Sequence, residues 1–431
     1  MNKTILLQNL GCRLNIAESD AIAAQFLSAG YRLLPQQTRL NDMNPDVVII
    51  NPCTVTAQAD RKSRNLIRRA KAPIIIATGC YITSEQKSNP IFSDVDYFVD
   101  NSRKSKIFDI VEAHISGEII NLESLDQNPF GYFSGIQPLH TRAFIKIQDG
   151  CDNHCSFCII PEVRGNAVSR PVPDIIKEIH KLIELGHVEL VLTGVNIGRY
   201  QWEKWNFSKL LNAILEIPGE FRIRISSLEP DPIDEQFYEL LQNKKLCPHF
   251  HICLQSGSDR ILLQMRREYQ TDQYLEIITR IRHAWNQSNI LGNLTTDIIV
   301  GFPGETDSDF AQTVSLCEKV NFGHIHTFRF SARSGTRAAR LENIVTEKIK
   351  LERSKRIRSV SDNGKKYLSK KLSGKLQHVL VEEINNGIAT GYCDSFSKVA
   401  FPADKTTLKG KLQKVRISST NTNNSLDGIR A

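Results

Sequence analysis

The chain has 431 residues, 41% of them hydrophobic and 24% charged, with a formal net charge of +8. That length allows two or three domains, and that composition is ordinary for a soluble globular protein. The basic excess tilts toward a polyanionic partner without requiring one. The first apolar run is broken by Gln8 and Asn9, too soon for a signal segment. No run approaches the roughly eighteen apolar residues of a membrane span, so a cytoplasmic chain with no membrane partner is expected. Ten cysteines in a reducing compartment point to metal binding, catalysis or burial rather than to a disulfide framework.

Residues 1–118 alternate strands and helices. Thr4–Leu10, Val47–Ile50, Ile74–Ala77 and Val95–Val99 read as strands, with helices at Asn15–Ala29 and Ala57–Lys71. Continuous apolar strands between helices predict an N-terminal parallel α/β sandwich. Periodicity fails over 119–140, which reads as a linker. Strand-like runs resume at Ala143–Gln148, Val188–Thr193, Phe221–Ser226, Phe250–Gln255, Thr295–Val300 and His324–Ser331, with helices such as Pro173–Leu185 and Asp307–Val320 between them. Six βα units over 141–366 predict a partial or full parallel barrel, and a flat doubly wound sheet fits the same periodicity. A long stretch rich in Lys and Arg, 341–371, reads as helix. Residues 367–431 hold short strands at Val379–Glu382, Ile388–Tyr392, Lys398–Phe401 and Lys411–Ile417, a small all-β domain; the polar tail Ser418–Ala431 is expected to be disordered.

Cys151, Cys155 and Cys158 form a C-x3-C-x2-C triplet just past a predicted strand. Three thiolates in so short a loop suit one soft metal centre. Zinc would want a fourth ligand, and no second paired motif follows. A 4Fe–4S cluster on three cysteines leaves one iron open to chelate a substrate. Three buried structural cysteines are the plain alternative. Cys12, Cys53 and Cys80 are far apart in sequence, yet each closely follows a predicted strand. Strand ends of a parallel sheet converge on one crevice, so these thiols are expected to meet; unrelated burial at three turns is the alternative. Cys253 and Cys317 read as core, and Cys247 and Cys393 receive no role.

The central triplet resembles the signature of radical S-adenosylmethionine (SAM) enzymes. That resemblance implies a 4Fe–4S cluster whose open iron binds SAM, and a 5′-deoxyadenosyl radical as product of its cleavage. It places Phe157 near the adenine, Thr193 and Gly194 near the methionine end, and Ser226, Gln255 and Gly301 at further strand ends around the cofactor. Adding the N-terminal cysteines and the small β domain, the whole chain resembles the radical SAM methylthiotransferases. The match runs through Gly11–Asn15, Thr54–Thr56 with Ala59–Arg64, Lys146–Cys151, Cys158–Pro161 with Arg164–Gly165, Pro248–His251 and Ser334–Arg337. It implies a second 4Fe–4S cluster on Cys12, Cys53 and Cys80, two SAM per turnover, and a TRAM-like RNA-binding barrel at the C-terminus. Departures are Pro52 before Cys53, where a backbone donor is lost, Glu162 at a position often aromatic, and Ser334 where Pro is usual.

Among the family's branches the chain most resembles the one that methylthiolates C2 of N6-threonylcarbamoyladenosine (t6A) at position 37 of tRNA. The implied partners are a tRNA anticodon loop, an electron donor and a sulfur source. An isopentenyladenosine branch, a ribosomal-protein aspartate branch and a non-catalytic RNA-binding iron–sulfur protein are the alternatives. Arg61, Lys62, Arg64, Arg68, Arg69 and Lys71 load one helix with charge suited to phosphates, or form a solvated face. Lys348, Lys350, Arg353, Lys355, Arg356 and Arg358 guide RNA or solubilise a linker helix, and Tyr392, Phe396 and Phe401 stack bases or fill the core.

Overall fold

The computed structural model describes residues 3–35, 44–84, 92–131, 140–231, 233–420 and 426–430. Its N-terminal sheet is parallel throughout, in the order Arg32–Leu33, Thr4–Asn9, Val47–Asn51, Ile74–Thr78, Tyr97–Val99. Alternate residues supply two cores. Ile5, Leu7, Val47, Ile49 and Ile76 pack with Phe26, Ile107 and Ile110 of one helical layer. Leu6, Val48, Ile50, Ile75 and Ala77 pack with Ile67 of the helix Ala57–Arg68 and with Tyr81 on the other face. Both faces are covered, which is why the strands read as unbroken apolar runs. The edge strand Arg32–Leu33 has two residues, one of them charged, and carries no such signal. Ile120, Leu122 and Leu125 of the expected linker pack onto the first core, and 132–139 lie outside the described residues.

The central strands Ala143–Lys146, Glu189–Thr193, Arg222–Ile225, His249–His251, Asn293–Val300 and His324–Arg329 are parallel and lie side by side in chain order. Parallel bridges Ile223–Leu246 and Leu228–Ile252 join the two three-stranded halves. A doubly wound sheet would reverse its strand order part-way; this one does not. Among the described residues no pairing joins the first strand to the last, so the barrel is partial, and the helix Arg13–Ser28 lies against its first strand.

The helix Glu347–Leu372 runs along the last barrel strand and through position 366, and ends with Leu368 and Leu372 in the core of a closed five-stranded barrel. Here one expectation is corrected. The tail beyond Ser418 is not simply disordered: Leu426–Arg430 is a strand, parallel to Lys398–Pro402 and antiparallel to Leu412–Thr420. It satisfies two open edges at once, a backbone requirement that a sequence with few apolar residues does not advertise. Cys247, Cys253, Cys317 and Cys393 are all buried. No helix among the described residues is long and apolar enough to cross a membrane.

Candidate active site

The central cysteine loop begins where the first barrel strand ends. Gly150 turns it at φ +66°, and a Cβ there would stand 1.9 Å from the Asn166 carbonyl oxygen, so only glycine fits. Each sulfur then accepts a donor: Cys151 from the Asn153 amide at 3.4 Å, Cys158 from the Ile160 amide at 3.5 Å, and Cys155 from Arg267 Nη1 at 3.1 Å. Burial pushes all three thiols up, Cys158 to about 12; Cys151 further raises Cys155, and both raise Cys158. Thiols held this way ionise readily only against a cationic centre.

The N-terminal thiols come together as their strand ends converge. A Cβ on Gly11 would lie 2.9 Å from Cys53 Cβ, and Cys12 and Cys80 both raise the Cys53 thiol, which burial pushes to about 11. Cys12 itself is exposed. Gly79, at φ +92°, has the Asn51 side chain 2.6 Å and the Pro52 carbonyl 2.7 Å from where a Cβ would sit. Glycines thus let the strand ends approach one another more closely than any side chain would allow.

The two triplets share one interface. Cys80 packs against Ile159 and Val163, which follow Cys158 directly. Arg164 donates from Nε to Cys80 Sγ at 3.2 Å, and Asn101 Nδ2 donates to the Val163 carbonyl at 2.7 Å. Beside the central loop lies a cavity of about 270 Å³ lined by Phe157, Cys158, Gln255, Asp297, Ile299 and Phe330 among others. Of the residues expected around SAM, Phe157 and Gln255 line this cavity; Thr193, Gly194, Ser226 and Gly301 do not. Gly194 instead packs on the first strand, where a Cβ would meet the Gln148 carbonyl at 2.8 Å, and Gly301 turns over Lys350, whose Cγ lies 2.3 Å from a Cβ position.

Residues 145–317 match the Radical SAM superfamily, and residues 4–99 match Uncharacterized protein family UPF0004. A Thermotoga maritima protein named threonylcarbamoyladenosine tRNA methylthiotransferase is 34% identical over 428 residues, covering 97% of this chain and 95% of that one. The chain belongs to the radical SAM methylthiotransferase family. A Lachnoclostridium phytofermentans relative, a tRNA-2-methylthio-N(6)-dimethylallyladenosine synthase, is 32% identical and covers 96% and 93%. Among solved structures, the radical SAM methyltransferase TsrM from Kitasatospora setae superposes with TM-score 0.56 at 14% identity, over 76% of this chain and 73% of that one, a likeness of fold alone.

Membership in this methylthiotransferase family implies a 4Fe–4S cluster and SAM, and the central loop fits them. Asn153 Oδ1 and Asn196 Oδ1 are buried there without hydrogen-bond partners. Buried polar atoms left open in this way suit a polar ligand.

The sequence names Lys146 and Arg164 only as matching residues and gives the charges between the triplets no role. Glu18 and Asp149 hold Arg164, Lys146 and Lys104, all with nearly or fully buried side chains: Arg164 Nη1 is 2.8 Å from Glu18 and 2.9 Å from Asp149, and Lys146 is 2.8 Å from Glu18. Three cations against two carboxylates leave one positive charge, and it faces Cys80 through Arg164. Arg267, paired with Glu229, plays the matching part at Cys155. Both arginines lie past the cysteines in sequence with no spacing that marks them.

The basic helices sort differently from their sequence. Arg61, Lys62, Arg68, Arg69 and Lys71 are exposed. Lys350 and Arg353 are buried, the latter on Glu305 at 2.5 Å, so they hold the long helix to the barrel rather than face RNA. Phe401 is core, whereas Phe396 and Tyr392 stack on each other 4.6 Å apart.

Proposed function

We propose that this chain is a tRNA methylthiotransferase that converts t6A at position 37 to its 2-methylthio form. The observation that carries this reading is the meeting of two cysteine triplets, from different domains, at one buried interface. Cys151, Cys155 and Cys158 would hold the cluster that binds SAM, and Cys12, Cys53 and Cys80 would hold a second 4Fe–4S cluster. When bound, these groups supply reductive SAM cleavage and a sulfur-bearing iron, and two SAM molecules serve as radical source and methyl donor. The chain's own residues do the rest. Phe157, Ile299 and Phe330 wall the SAM cavity with apolar surface and exclude water from it. Arg164 and Arg267 neutralise thiolate charge at one sulfur of each triplet. The exposed basic face of Ala57–Arg68 neutralises phosphates of the anticodon arm. An external electron donor and a sulfur source complete the cycle.

The t6A substrate is supported by the Thermotoga maritima relative's name and near-complete coverage. Mass spectrometry of tRNA nucleosides from cells lacking the protein tests it. Loss of the 2-methylthio form of t6A alone is expected; loss of the isopentenyl form instead would move the substrate to the other tRNA branch.

A further inference from the structure

A second cavity, of about 430 Å³, lies inside the partial barrel between the cysteine crevice and the small β domain. It adjoins the SAM cavity: Asp297 lines that cavity, and its carboxylate is 3.3 Å from Nε2 of His251, which lines this one. Arg13, the residue after Cys12, reaches into it from the N-terminal domain.

Its far wall is a stack of rings. Tyr392 lies 4.6 Å from Phe396, and Phe396 lies 4.8 Å from His249. Three guanidiniums surround Phe396, those of Arg13 and Arg142 at 5.3 Å and that of Arg224 at 4.7 Å. Two of them are neutralised: Arg224 by Glu189 at 2.7 Å, and Arg142 by Glu382 at 2.5 Å. Arg13 differs. Among the described residues it makes no ion pair, and its hydrogen bond goes to the Ser226 carbonyl at 3.1 Å. Burial and the two neighbouring guanidiniums lower it to about 10, which leaves it charged at neutral pH.

A half-buried guanidinium without a carboxylate is unfavourable, and its planar fork matches a carboxylate. His249 gives a second sign of a missing partner. It is 2% exposed, its Nε2 lies 3.2 Å from the Thr295 hydroxyl, and its Nδ1 has no hydrogen-bond partner. The one acid at the cavity's edge on the SAM side, Asp297, is held by His251. Lys365 and Lys398 also line the cavity and make no ion pair among the described residues.

We propose that this cavity receives the N6 substituent of the target adenosine, and that Arg13 pairs with its carboxylate. The assignment rests on the t6A reading above. A threonylcarbamoyl group ends in a carboxylate and carries a hydroxyl and amide groups, which suit Arg13 and His249. A dimethylallyl group would leave both unpaired, and a site with buried polar groups rejects an analogue that cannot satisfy them. Arg13 is thus a specificity-determining residue rather than a catalytic one.

The test is binding, read by fluorescence anisotropy on the full-length protein. The probes are anticodon stem-loops with t6A, isopentenyladenosine or unmodified adenosine at the same position. Wild type is expected to favour the t6A loop about tenfold or more, the equivalent of one charge-assisted hydrogen bond. Arg13→Gln should lose most of the t6A preference, keeping only the smaller part that His249 supports. Arg13→Lys should recover part of the preference through its charge. His249→Phe, which keeps the stack and drops the ring nitrogens, should narrow it without touching Arg13. A t6A preference undiminished in Arg13→Gln overturns the assignment and leaves the substrate reading standing. A wild type without any preference for t6A overturns both.

Discussion

The two cysteine triplets reach similar surroundings by opposite routes. Cys151, Cys155 and Cys158 sit in one loop, shaped by Gly150 and by amides two residues along the chain. Cys12, Cys53 and Cys80 come from three strand ends and meet only because the sheet is parallel. The first set is a local chelate whose geometry survives as long as the loop does. The second is assembled by the fold, and its third member depends on another domain: Arg164, which donates to Cys80, lies just past the central loop. A local site keeps its spacing within one loop even where Arg267 reaches one sulfur from afar, whereas a convergent one takes its spacing itself from the fold.

Breaking each triplet in turn should have the largest effect. Reconstituted protein is expected to hold about eight irons, and Cys155→Ala and Cys53→Ala about four each. Cys155→Ala should abolish SAM cleavage. Cys53→Ala should keep SAM cleavage and lose methylthio product by more than about a thousandfold. If Cys53→Ala retains product, the N-terminal triplet only shapes the substrate site.

Arg164→Met removes the cation shared by Glu18, Asp149 and Cys80. Glu18 and Asp149 keep Lys104 and Lys146, so the loss is that of buried charge-assisted hydrogen bonds and should cost about 2–3 kcal/mol, seen in chemical denaturation of the full chain. Arg267→Met, whose partner Glu229 is partly exposed, should cost less. Equal losses would contradict the asymmetry between the two sites.

Gly79→Ala and Gly150→Ala sharpen the same contrast. Strain at Gly79 should cost about 1–3 kcal/mol and lower iron content at the N-terminal site while SAM cleavage continues. Gly150→Ala should do the reverse, because its Cβ collides with backbone beside Cys151. Iron analysis and a SAM-cleavage assay on both variants separate the two outcomes.

The smallest effect should come from the exposed helix that follows Cys53 and has no counterpart beside the central loop. Arg68→Gln with Arg69→Gln should flatten the salt dependence of tRNA binding by about two charges' worth, with iron content at the wild-type level. An unchanged salt slope would make that face merely solvated.

Element identity in this chain was legible wherever the pattern was local. The apolar runs Val47–Asn51 and Ile74–Thr78, the six barrel strands and the C-x3-C-x2-C loop are all readable because alternation, turn residues and close spacing act over a few positions. The choice between barrel and flat sheet was not readable, since both satisfy the same periodicity, and only strand order settled it. The strand Leu426–Arg430 is not legible because backbone pairing and one core residue, Leu426, make it, with no apolar alternation to mark it.

The sequence alone marked the six strand-end and loop cysteines and the resemblance they carry, because chelating residue types at βα turns are a local signal. Only the tertiary structure decided which charges surround them. That Arg164 faces Cys80, that Arg267 faces Cys155, that Lys350 and Arg353 turn inward and that Arg13 enters the barrel without an acid partner are all contacts between residues far apart in the chain. Electrostatic partners are chosen by distance in space and by burial, neither of which a linear pattern encodes.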